Sequence, residues 1–201
     1  MKRRLVLQGL LAAMPAAVAF SALLAAPKQA GALGGTLPDL DQPAPDFALA
    51  GFLPPGTEGE LRLSDFQGRW LALYFYPKDF TGGCTLEARG FQQDLAQFHQ
   101  LGAEVVGISA DSAESHASFC GSEGLAFPLL SDPGGLVSRS YGSWISPYSQ
   151  RHSFLIDPDG VLRERWVAVR PSGHSQEILA SLQSLVAAAP SLPSPSPSIS
   201  R

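Results

Sequence analysis

The sequence predicts an α/β domain with a central mixed β-sheet flanked by helices, and three observations carry that prediction. Two apolar runs, "WLALYFYP" (Trp70 to Pro77) and "AEVVGISA", are short and continuous, as strands buried on both faces are. Between them Cys84, Ala88, Phe91, Leu95 and Phe98 step by 4, 3, 4 and 3, which marks one face of a helix. After a third helical segment, "RHSFLIDPDGVLRERWVAV" reads as two strands about an Asp-Pro-Asp-Gly turn, so an antiparallel edge joins an otherwise alternating strand-helix order.

The remaining elements fill in around these. "DFALAGF" and "LRLSDFQ" are expected to form a strand pair around the loop "LPPGTEGE". Gly90 weakens the first helix by roughly 1 kcal/mol relative to alanine, so that helix rests on its periodicity. "SAESHASFCGSEG" is a short helix ended by glycine, "FPLLSD" a third strand, "GGLVSRSYG" helical, and "HSQEILASLQSLVAAA" a closing helix. A thioredoxin-like fold is the natural candidate for this order. Chemistry in that fold sits at the end of the first central strand, where Cys84 lies.

Composition narrows the function. The chain has 201 residues, 45% of them hydrophobic and 16% charged, enough for one domain with a sizeable core and tails. Residues 1–32 hold Lys2, Arg3, Arg4 and Lys28 and no acid; without them, 10 basic residues face 18 acidic ones, a formal charge of −8 against −4 for the whole chain. Nucleic-acid surfaces need clustered Lys and Arg, so none is expected, and no phosphate-binding glycine loop is present. "MKRR", the apolar Leu5 to Ala26 and the small-x-small "AGA" have the layout of an export signal over residues 1–32, of twin-arginine type. An uncleaved anchor is the alternative, because the apolar stretch is long enough to span a bilayer. The domain is expected over 37–189, after an extended lead-in from Gly34 to Pro45. The Pro/Ser stretch 190–201 has too few apolar groups to fold.

Cys84 is one of two cysteines. It falls in the first turn of the predicted helix, where unpaired N–H groups and the helix dipole favour an anion, and a thiol reacts as its thiolate. Because it also begins the apolar face, an inert core thiol fits its position equally well. Thr81, three residues earlier, can turn its hydroxyl to the sulfur or serve as an N-cap. Pro77 can shield the site from water or merely end the strand. Together, as Pro-x-x-x-Thr-x-x-Cys, they are far more specific than any one alone.

"PKDFTGGC" matches the PxxxTxxC active-site motif of the peroxiredoxins. With "LGAEVVGISADSAESHASF", "LLSD" and "SFLIDPDGVL" the chain resembles the Q-type, or bacterioferritin-comigratory, branch from about Pro43 to Ala187. The resemblance implies a thioredoxin-like fold, a monomer, and reduction of hydrogen peroxide and organic hydroperoxides through a sulfenic acid at Cys84. It also implies recycling by a thioredoxin-like dithiol donor. Thr81 and the backbone N–H groups near Gly83 and Cys84 would donate to the departing oxygen. The family's pocket arginine maps onto Arg151, and Glu87 in "CTLE" would orient it. Without the motif these two are a strand-entry arginine and a first-turn acid.

Many Q-type members carry a resolving cysteine five residues after the peroxidatic one; here that position is Arg89. Cys120, 36 residues after Cys84, is the internal candidate, and a Cys84–Cys120 disulfide is the first expectation. A one-cysteine cycle with an external thiol, and Cys120 as buried filler, is the alternative. His116 and Cys120 at i, i+4 are too few for zinc, which takes three or four ligands, so neither metal nor cofactor is expected. Competing readings are a disulfide oxidoreductase, which would normally show Cys-x-x-Cys, and a non-enzymatic binding or chaperone module. Export implies the periplasm or a thylakoid lumen; without a signal the protein would be cytoplasmic.

Overall fold

The strand Trp70–Phe75, here β3, shows why the core has two sides. Its side chains alternate, sending Ala72 and Tyr74 into one buried cluster and Leu71, Leu73 and Phe75 into another, as a period of two requires. Both clusters are covered, so the run is apolar throughout. The computed structural model describes residues 34–188; the predicted signal and the Pro/Ser tail lie outside the described residues.

In chain order the elements are β1 (Ala48–Leu53), β2 (Thr57–Arg62), a 3-10 turn (Leu63–Phe66), β3, α1 (Gly82–Gln100), β4 (Ala103–Ser109), α2 (Ala113–Glu123), β5 (Leu129–Ser131), α3 (Leu136–Ser140), β6 (Trp144–Ile145), β7 (Tyr148–Ser149), β8 (His152–Ile156), β9 (Leu162–Trp166) and α4 (His174–Ala188). Seven strands form one sheet in the order β2-β1-β5-β4-β3-β8-β9, and β6-β7 is a separate small hairpin. β3, β4 and β5 are parallel, while β8 pairs antiparallel with β3 and β9 with β8. The mixed sheet with flanking helices is therefore as the sequence predicts.

The predicted stripe of α1, Cys84 to Phe98, is buried in the first cluster with Phe119 and Cys120 of α2 and Ile178, Leu179 and Leu182 of α4. The second cluster collects Val137 of α3, Phe66 of the 3-10 turn, Phe47 just before β1 and Ala44 of the lead-in. The lead-in itself is pinned to β9, with the Asp41 N–H donating to Leu162 O at 2.8 Å and Pro43 bridged to Val161.

One strand stands apart from its prediction. The partner of β1 is "TEGELR", not "LRLSDFQ", and Leu63–Phe66 forms the 3-10 turn. β2 is an edge strand with mostly exposed side chains, so it lacks the apolar pattern that would announce it. Backbone pairing with β1, from Ala48 opposite Arg62 to Leu53 opposite Thr57, specifies it instead. Gly90 also finds its reason here: a Cβ there would stand 3.0 Å from Ser175 Oγ of α4. That hydroxyl donates to Asp94 Oδ2 at 2.7 Å, so the missing side chain lets α1 and α4 close on a buried hydrogen bond.

Candidate active site

β3 ends at Phe75, and a tight loop delivers the chain to α1 with Thr81 at its N-cap. Cys84 lies in the first turn, 1% exposed. The first intrahelical backbone bond runs from the Thr85 N–H to Thr81 O at 2.8 Å. The N–H groups of Gly82, Gly83 and Cys84 therefore precede the ladder and point from the helix end, where they favour negative charge.

Arg151 comes in from the start of β8, 67 residues from Cys84. Ser143 and Gln150 hold that entry across the β6-β7 hairpin: the Gln150 N–H donates to Ser143 O at 2.8 Å and the Ser143 hydroxyl to Gln150 O at 2.7 Å. Arg151 Nη2 donates to Cys84 Sγ at 3.3 Å, and Nη1 donates to Glu87 Oε2. A Cβ on Gly83 would sit 3.2 Å from Arg151 Nη2 and 3.4 Å from Pro171 Cγ, so the glycine lets the guanidinium lie against the helix end. One planar fork thus spans a thiol and a carboxylate.

Both partners of this ion pair are raised, which disfavours the charge of Glu87 and favours that of Arg151. Burial pushes the Glu87 carboxyl up to about 7, although Arg151 pulls it down. Arg151 is raised as well: burial works against its charge, but Glu87 and Cys84 outweigh that cost. The difference is physical. Glu87 is fully desolvated and its Oε1 has no hydrogen-bond partner, whereas the Arg151 side chain is 15% exposed and faces two acceptors.

A pH dependence follows. Between about pH 4.5 and 7 the native state holds a proton on Glu87 that the unfolded chain has released, so stability falls as pH rises through that window. The full cost is about 3 kcal/mol by pH 8. Urea midpoints of wild type and Glu87→Gln at pH 5 and 8 check this: the wild type should lose ground to the variant as pH rises. A difference independent of pH would overturn it.

The other expected site residues fall into place unevenly. Thr81 is exposed, and its hydroxyl donates to Lys78 O at 2.9 Å. In this arrangement its proton faces the backbone, and the free lone pairs of its oxygen can accept. Pro77 is half-buried two residues beyond β3. Cys120 is 2% exposed in the last turns of α2, and both cysteines are free thiols. Burial, with the Asp79 carboxylate adding to it, pushes the Cys120 thiol up to about 12. Arg89, which replaces the nearby cysteine, pairs instead with Glu123 at the end of α2, 2.6 Å away.

Sequence reasoning missed one cluster, the buried Asp79 with Tyr76, Ser115 and His116. Asp79 sits inside "PKDFTGGC", so a carboxylate in the middle of the motif was the available signal.

The AhpC/TSA family model matches residues 40–165, more than half of the chain. The chain belongs to the AhpC/TSA family. Within it the similarity is to the peroxiredoxins of the Q, or Bcp, branch. The peroxiredoxin Bcp of Xanthomonas campestris pv. campestris is 39% identical over 153 residues, covering 72% of this chain and 94% of its own. A mitochondrial thioredoxin-dependent peroxide reductase of Drosophila melanogaster is 37% identical over 145 residues, covering 68% and 62%. Among solved structures, the Xanthomonas campestris bacterioferritin comigratory protein, described for its alkyl peroxide reduction activity, superposes with a TM-score of 0.63 at 34% identity, covering 70% of this chain and 92% of its own. The thioredoxin-like fold of that protein is the one seen here.

Proposed function

We propose that this peroxiredoxin reduces hydrogen peroxide and organic hydroperoxides at Cys84, that Cys120 resolves the product, and that a thioredoxin-like dithiol restores both thiols. The observation that carries the reading is the Arg151 fork, which holds Cys84 Sγ at 3.3 Å beside the first-turn N–H groups of α1 and is itself held by Glu87. A thiolate there attacks one peroxide oxygen and the O–O bond breaks. The sulfur is oxidised to a sulfenic acid, and the departing oxygen takes a proton and leaves as water or alcohol. Arg151 and the helix-end N–H groups face the charge that develops, while the Thr81 oxygen accepts from the peroxide O–H. Pro77 keeps one wall of the site free of N–H groups.

Next, the Cys120 thiolate attacks the Cys84 sulfur, the S–O bond breaks, water leaves and a disulfide forms. A thiol at about 12 is ionised at neutral pH in roughly one molecule in 10^5, against a few per cent for an unperturbed cysteine. Cys120 therefore resolves only after α2 loosens enough to bring it to water and within about 7 Å Cα to Cα of its partner. A disulfide oxidoreductase is disfavoured because Thr81 stands where the first cysteine of a Cys-x-x-Cys ending at Cys84 would be.

Mass spectrometry after one equivalent of hydrogen peroxide, with a dimedone trap, tests the scheme. Wild type should lose two hydrogens and yield a linked Cys84–Cys120 peptide. Cys120→Ser should instead carry dimedone on Cys84 and stop after about one turnover with a dithiol-specific donor. Dimedone on Cys84 with free Cys120 in wild type would mean a one-cysteine cycle, and two unreacted thiols would sink the peroxidase reading. Export of a monomeric domain spanning 37–189 to the periplasm or a thylakoid lumen rests on residues 1–32. It is supported if the mature protein begins after Ala32 and fractionates outside the cytoplasm.

A further inference from the structure

Asp79 is 3% exposed, and a carboxylate so buried is costly unless its oxygens are satisfied. Three side chains satisfy it. The Tyr76 hydroxyl donates to Oδ1 at 2.7 Å, the Ser115 hydroxyl to Oδ2 at 2.7 Å, and His116 Nδ1 meets Oδ2 at 2.9 Å. Ser115 and His116 belong to the first turns of α2, while Asp79 belongs to the loop that leads into Cys84. The loop is tied a second time by the Asp79 N–H donating to Asp111 Oδ2 at 2.9 Å.

None of these groups bonds to Cys84, Arg151 or Glu87, so the cluster is outside the peroxide chemistry. It lies beside the other sulfur: His116 is one turn before Cys120 on the same helix. Next to Asp79, Phe80 holds a left-handed backbone at φ 59 and packs its half-exposed ring on Phe119, 5.1 Å between centroids. Left-handed backbone is costly for a bulky residue. His116 Nε2 is buried with no partner, a further cost that opening to water would relieve. The connection is tight, yet two of its members gain when it parts.

We propose that Asp79, Ser115 and His116 are positioning residues for the resolving step, forming a buried latch that holds α2 and Cys120 against the Cys84 loop and sets how often the two sulfurs can meet. The inference rests on the reading of Cys120 as the resolving thiol. While the latch is closed, Cys120 stays buried beside the Asp79 carboxylate. Once it opens, the loop and α2 loosen together, because each supplies the other's hydrogen-bond partners. A sulfenic acid that waits too long meets a second peroxide and goes on to sulfinic acid, so latch strength decides between disulfide and overoxidation.

The test follows that partition by mass spectrometry over a hydrogen peroxide series, with amide exchange of residues 113–123 measured on the reduced protein. Asp79→Asn and His116→Gln should lower the sulfinic-to-disulfide ratio about tenfold and speed exchange in α2. The first sulfenic step at limiting peroxide should stay within about threefold of wild type. Ser115→Ala, a milder change that keeps the Asp79–His116 pair, should move the ratio in the same direction by less and guards against misfolding of the other two. An unchanged ratio in all three variants, or faster α2 exchange with no change in the ratio, overturns the latch and leaves the resolving role of Cys120 intact. Absence of any Cys84–Cys120 disulfide in wild type overturns both.

Discussion

Replacing Cys84 with serine is expected to reduce peroxide consumption to background, a loss of at least about 10^4-fold, as when an enzyme loses its nucleophile. A serine hydroxyl is not oxidised by peroxide, so no sulfenic acid forms and no disulfide can follow. Because serine nearly matches the thiol in shape and Arg151 Nη2 can donate to its oxygen, the fold should survive with a cost of about 1 kcal/mol. Donor-coupled peroxide consumption together with a thermal melt measures both. Turnover that persists in a folded Cys84→Ser protein would place the chemistry elsewhere. A binding or chaperone activity, by contrast, would be indifferent to the change.

Arg151→Met is expected to slow the second-order reaction with peroxide by about 10^2- to 10^3-fold, the effect of removing one preorganised donor at a developing charge. The cation facing Cys84 Sγ disappears, and so does the only charged partner of Glu87 among the described residues. Glu87 then holds its proton to a still higher pH, so between pH 5 and pH 8 the variant should lose about 1 kcal/mol more stability than wild type. Arg151→Lys separates the two effects. An ammonium keeps the charge but cannot fork between a sulfur and a carboxylate, so it should restore stability better than rate. Equal recovery of both would argue against the fork as the catalytic element. Stopped-flow peroxide kinetics and urea melts at the two pH values provide the comparison.

These two residues also mark the limits of what could be read from the chain. Cys84, its place in the first turn and the buried stripe behind it were legible because each depends on a few neighbouring residues and one period. The two-sided burial of β3 follows likewise from an uninterrupted apolar run. Arg151 and Glu87 were reached through resemblance alone, because 64 residues separate them and no local pattern announces a pair that only the β3-β8 register brings together. β2 was misplaced for a related reason: an edge strand with exposed side chains carries no apolar alternation, and its position is set by hydrogen bonds to β1.

Thr81 shows the same boundary at closer range. Spacing puts its hydroxyl within reach of either the sulfur or the backbone, and the turn geometry of Lys78 to Thr81 decides for the Lys78 carbonyl. The composition of the chain determined that it would fold around a sheet buried on both faces with a thiol at a helix end, because burial and periodicity act residue by residue. The tertiary structure alone decided which charge meets that thiol, and which carboxylate, Asp79, ties its loop to the helix of the second cysteine. Such pairings depend on the meeting of segments 36 to 67 residues apart, and they exist only once the sheet order has been set.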